Sequence, residues 1–161
     1  MTLLDAITLH DPTVTTSAQR QCCCYAQAVI ERWAMLPPAT GSLLAMWRIF
    51  PELENPWSPV EAVQAVGLGE QVAAPIVGRW HLVQGWRTAG DPERVARGET
   101  PQGTGHTFLW RASSAEWGRQ CDSADPRGPD NSSRRWADVV AEFRGGLAIA
   151  VLRRPRDGSE G

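Results

Sequence analysis

The chain has 161 residues, a length that suits one domain built round one core. With 42% hydrophobic and 21% charged residues it has the balance of a globular chain, which excludes wholesale disorder. A formal net charge of −2 argues against nucleic acid as the main partner. Arginine supplies all of the basic residues and lysine none, a pattern that fits biased composition better than avoidance of lysine modification. No stretch reaches the ~18 apolar residues of a membrane-spanning helix. The start, Met1-Thr2-Leu3-Leu4-Asp5-Ala6, lacks the basic and apolar regions of a signal peptide. Synthesis in a reducing cytoplasm follows as the default, and action outside the cell needs a delivery route.

Residues 1–16 read as an irregular lead-in. Ser17 suits a helix cap, and the helix it opens runs to about Leu36, before Pro37-Pro38. Its apolar stripe is Cys22, Ala26, Val29, Ile30 and Trp33 at helical spacing. A short apolar segment, Leu43 to Phe50, stops at Pro51. Ser58-Pro59-Val60-Glu61 has the cap, first-position proline and capping-box glutamate of a helix start. Val60, Val63 and Val66 continue that helix to Gly67.

Beyond Gly67 the period shortens to that of strands. Arg79 to Trp86 reads as a strand, 87–104 as a polar Gly/Pro-rich loop, His106 to Arg111 and Trp117 to Asp122 as two further strands. Residues 123–133 form a loop. Arg134 to Phe143 is helical, Leu147 to Leu152 is a buried strand, and 153–161 reads as a mobile charged tail. Helices first and an antiparallel sheet of about four strands second make an α+β domain over 17–152.

The chemistry concentrates at three places. Gln21-Cys22-Cys23-Cys24-Tyr25-Ala26 lies at the start of the first long helix. Gly105-His106-Thr107 opens a strand. Asp122 falls where the next strand returns beside His106. A thiolate rather than a thiol is the nucleophile, and a helix N-terminus stabilises it through free N–H groups and partial positive charge. A histidine completes the ion pair, and a third polar group holds its tautomer. A hairpin loop at 112–115 or 113–116 sets His106 opposite position 121 or 123, which brackets Asp122. Ser123 and Asp125 are the alternatives to Asp122. His81 sits within the strand Trp80-His81-Leu82-Val83, where a core or edge role fits better, and His10 lies in the lead-in. Three consecutive cysteines lack the paired-hook spacing of a zinc site, so neither metal nor cofactor is expected.

These motifs resemble a known family. Gln21-Cys22-Cys23-Cys24-Tyr25-Ala26 resembles the Gln-Cys-x-Trp-Tyr-Val/Ala motif of CHAP-domain amidases, and Gly105-His106-Thr107 resembles their Gly-His-Val/Thr strand start. Asp122 occupies the place of their Glu, Asp or Asn. The resemblance covers roughly 17–152. It departs at Cys24, where the family often has Trp, at Ser123-Ala124 after Asp122, and in the length of 37–78. CHAP and NlpC-type enzymes are papain-like cysteine hydrolases that cleave peptidoglycan amide bonds.

The resemblance implies a papain-like fold in which Cys22 attacks, His106 acts as base and Asp122 orients it. The Cys22 backbone N–H, with Gln21 or Gln19, forms the oxyanion hole. Apart from the resemblance, Trp47, Trp57 and Trp86 are candidates for lining a substrate groove, although tryptophans usually fill cores. A papain-style frame selects Cys24 instead, before Tyr25; the apolar stripe favours Cys22. The implied substrate is a peptide or peptidoglycan, reached as a phage lysin, a virion component or a secreted effector with a delivery or assembly partner. Two other functions fit the same residues. One is an intracellular protein isopeptidase or deamidase, since a fold does not fix its substrate. The other is an inactive papain-like module for binding or assembly.

Overall fold

The computed structural model describes Leu3, Ala6, Ala26, Val29, Ile30, Arg32 and Trp33, and residues 60–67, 74–122 and 134–153. The core of these residues is one antiparallel sheet. Its strands are β1 (Val60–Gly67), β2 (Trp80–Trp86), β3 (Gly105–Ala112), β4 (Trp117–Cys121), β5 (Arg134–Arg135) and β6 (Gly146–Leu152). They lie in the order β1-β6-β2-β3-β4-β5. Among the described residues two short helices with defined limits accompany them, α1 (Asp91–Ala96) between β2 and β3, and α2 (Trp136–Glu142) between β5 and β6. The arrangement is α+β. Among the described residues no helix is long and apolar enough to cross a membrane.

Every residue of the central strands β2 and β6 is buried; β6 is an unbroken apolar run, and β2 is apolar except at His81 and Gln84. One face is sealed by α2. Val83, Phe108, Trp110, Ile149 and Leu147 pack there with Trp136, Val139 and Phe143. The helix can lie this close because Gly85 has no side chain: a Cβ there would overlap the Phe143 ring. Phe143 stacks on Phe108 with ring centroids 5.9 Å apart, and Trp110 meets Trp136 at 5.3 Å.

The apolar stripe read from the sequence holds at its described positions. Ala26, Val29, Ile30 and Trp33 have helical backbone and are at most 1% exposed, whereas Arg32 is exposed. Leu3 and Ala6 are also helical and fully buried, where an irregular lead-in was expected. Residues 154–161, read as the tail, lie outside the described residues.

Residues 60–67 correct the expected helix. They form an edge strand antiparallel to β6, with Val60 opposite Leu152 and Val63 opposite Ala150. The valine spacing of three suggested a helical period. The ladder accommodates it through irregularities between Val60 and Ala62 and between Gln64 and Gly67. Valine is also β-branched, and pairing with the outer edge of β6 overrides the local capping signal. The loop 87–104 differs too, since it contains α1, with Pro92 in its first turn. Arg134 and Arg135, expected to be helical, pair with β4 instead.

Candidate functional site

Residue parity sets the site. Successive side chains on a strand alternate between faces, so His106, Phe108 and Trp110 share the α2 face of β3. Gln120 and Asp122 share that face across the hairpin, since Trp110 pairs with Gln120. Phe108 and Trp110 are covered by α2. His106, at the beginning of β3 and beyond that cover, keeps 23% of its side-chain surface exposed. Its ring lies 5.6 Å from that of Phe108.

His106 Nε2 lies 2.9 Å from Asp122 Oδ2. The sequence arithmetic set His106 opposite 121 or 123. The observed ladder pairs Leu109 with Cys121 and Ala112 with Gly118, so its continuation sets Phe108 opposite Asp122. Four residues, Ser113 to Glu116, separate the strands as in one of the two assumed turns, but Ala112 pairs with Gly118 instead of Trp117. Ser113 and Ser114 N–H both donate to the Trp117 carbonyl, and Ser114 Oγ accepts from the N–H groups of Glu116 and Trp117. His106 and Asp122 are therefore diagonal neighbours, a spacing that long side chains still bridge.

That contact decides a tautomer. An ionised carboxylate only accepts, so Nε2 carries the proton when His106 is neutral. Nδ1 is then the basic nitrogen, on the side of the ring away from Asp122. An imidazole held this way accepts a proton at Nδ1 while its positive charge is stabilised by Asp122.

Asp122 is itself held. Gln120 Nε2 donates to Asp122 Oδ2 at 3.0 Å, and Gln120 Oε1 accepts from Arg134 Nη1 at 2.6 Å. Arg134 also donates to Glu142 on α2, and Glu142 accepts from Arg87, which bonds Thr104. Burial raises the Glu142 pKa, but the hydrogen bonds and charges of Arg134 and Arg87 outweigh it and hold the carboxyl below its ordinary value. The sequence reading missed Gln120, Arg134, Glu142 and Arg87. One signal was present: Gln120 and Asp122 are two apart in a strand and share a face.

The approach to His106 is pinned by Asp91. Its fully buried carboxylate accepts from Gln102 N–H at 2.8 Å, Gly103 N–H at 2.9 Å and Arg94 Nη1 at 2.7 Å. Burial raises its pKa, and these donors more than reverse that, leaving it lowered. The loop that precedes Gly105 and His106 is thus tied to the start of α1.

The remaining candidates divide cleanly. Cys22, Gln21 and Gln19 lie outside the described residues, as do Cys23, Cys24, Ser123, Asp125, Trp47 and Trp57. Trp86 is fully buried, which overturns its assignment to a substrate groove. Every residue of its strand is buried. His81 is fully buried in the sheet, where its Nε2 accepts from Ile76 N–H at 3.1 Å. Burial pushes its pKa from 6.5 to about 4, against backbone hydrogen bonds with Trp110 and Arg79 that favour the charged ring. Comparison with protein-family models, curated proteins and solved structures finds no match for this chain.

Proposed function

We propose that the protein is a papain-like cysteine hydrolase that cleaves an amide bond, with peptidoglycan stem peptides or crosslinks as substrate. The supporting observation is the His106–Asp122 pair: a part-exposed imidazole at a strand start, held through Nε2 by a carboxylate. The resemblance of the Gln21-Cys22 and Gly105-His106 motifs to CHAP-domain amidases supplies the nucleophile. Delivery as a phage lysin, virion component or secreted effector belongs to the same reading.

In this reading His106 Nδ1 takes the proton of the Cys22 thiol, and the thiolate attacks the scissile carbonyl carbon. The oxyanion accepts from the Cys22 backbone N–H and from Gln21 or Gln19. As the C–N bond breaks, His106 returns the proton to the leaving amine. Water then attacks the thioester with Nδ1 again as base, releasing a carboxylic acid and the free thiol. Asp122 stays ionised throughout and stabilises each imidazolium.

The test is incubation of purified sacculi with the full chain. New free amines or stem peptides are expected, unaffected by EDTA and abolished by alkylation of thiols. Fragment masses distinguish an amidase from an endopeptidase. Intact sacculi together with processing of a cytosolic protein would overturn the wall substrate and leave the thiol chemistry.

A further inference from the structure

We infer that Gln120 is a positioning residue for the His106–Asp122 pair, a role that rests on the hydrolase reading above. Gln120 stands between two full charges. Its Oε1 faces the Arg134 guanidinium at 2.6 Å, and its Nε2 faces the Asp122 carboxylate at 3.0 Å. The amide satisfies both. Arginine has no acceptor and an ionised carboxylate has no donor, so the two partners also fix which end of the amide is oxygen.

The consequence is directional. Arg134 polarises the amide, which strengthens the N–H that Gln120 offers to Asp122. That N–H and His106 Nε2–H converge on one oxygen, Asp122 Oδ2. The carboxylate oxygen is held facing Nε2, so Nε2 keeps its proton and Nδ1 stays the base. Arg134 is in turn clamped by Glu142, which Arg87 also holds. The imidazole is thereby referenced to α2 and to the loop after β2, rather than to β4 alone. Gln120 acts through Asp122 and needs no contact with the substrate.

Two variants separate this role from simple packing. Gln120→Met keeps the volume and loses both hydrogen bonds. Gln120→Glu keeps an acceptor for Arg134 and replaces the donor facing Asp122 with a second negative charge. The full chain is labelled with 15N at histidine, and the His106 ring nitrogens are read at a pH where the ring is neutral. Turnover of sacculi is measured alongside. The wild-type ring is expected to be a single Nε2–H tautomer, and both variants to mix the two tautomers. kcat is expected to fall ~tenfold or more, because small misplacements of a reacting group are costly. KM should stay within about twofold, since no substrate contact is removed. A wild-type tautomer and wild-type kcat in both folded variants would overturn the role. Absence of turnover in the wild-type chain counts against the hydrolase reading alone, and the ring spectra still decide for or against Gln120.

Discussion

His106 Nε2 and Asp122 Oδ2 meet at 2.9 Å as diagonal neighbours across the β3–β4 hairpin, with Gln120 donating to the same oxygen. The imidazole is thus oriented by the residue that follows β4, and Nε2 is the nitrogen that faces the carboxylate.

Loss of the base should therefore be severe. His106→Ala is expected to lower turnover of sacculi on the order of 10²–10⁴-fold, the usual range for a general base. Asp122→Ala should cost less, because Asp122 orients rather than reacts. A steady-state comparison checks this, with thermal melting to confirm folding. A greater loss from Asp122→Ala than from His106→Ala would contradict the assignment of roles.

The nucleophile carries its own signature. Iodoacetamide at mildly acidic pH should label Cys22 before Cys23 or Cys24, because only a depressed pKa keeps a thiolate there. Cys22→Ala should abolish turnover, and Cys23→Ala and Cys24→Ala should retain most of it. Peptide mapping by mass spectrometry reads the order of labelling. First labelling at Cys24 would move the nucleophile to the frame before Tyr25.

Acid should destabilise the sheet through His81. Its pKa is lowered in the fold to about 4, so the unfolded chain binds a proton more readily below pH 6.5. Its contribution is complete above pH 6.5 and is lost as pH falls towards 4. The size of that loss is on the order of 3 kcal/mol. Protonation at Nε2 also removes the acceptor for Ile76 N–H. Asp91 and Glu142, with lowered pKa values, add their losses as pH falls through the ordinary carboxylate range and below it. Denaturant melts from pH 7 to 4 should slope for the wild type and flatten for His81→Gln. Parallel slopes in the two proteins would contradict the role of His81.

Packing beside the site has a defined weak point. Gly85 lies opposite His106 and under Phe143. Gly85→Ala should force the Phe143 ring aside and cost about 1–3 kcal/mol. Phe143 also carries Arg87, whose guanidinium sits 5.0 Å from the ring centroid, so turnover should fall with stability. Denaturant unfolding and sacculus turnover of the one variant check both effects, and an unchanged midpoint would contradict the overlap.

The elements that were legible in the sequence were those with a strong local period. Trp80–Trp86, Gly105–Ala112 and Gly146–Leu152 lie within a residue or so of their expected limits, because each carries a short, mostly apolar run bounded by turn residues. The helical stripe of Ala26, Val29, Ile30 and Trp33 was legible for the same reason. Val60–Gly67 was misread because its partner, the free edge of β6, is over eighty residues away and leaves no local trace. The pairing of His106 with Asp122 was reached through a register that was off by one residue or more. It survived because long side chains reach diagonally. Trp86 was misassigned because a tryptophan beside a loop reads the same whether its strand is central or at an edge. Gln120 went unread because its importance comes from Arg134, and that contact is made only by folding.

The thiol–imidazole pairing itself is tested most directly by the distance from Cys22 Sγ to His106 Nδ1 in a crystal structure of the full chain. The result expected is about 3–4 Å, with the sulfur on the Nδ1 side of the ring and Asp122 on the Nε2 side. A Cys22 sulfur across the sheet from His106, or on the order of 10 Å away with Nδ1 bonded to another group, would contradict the hydrolase reading.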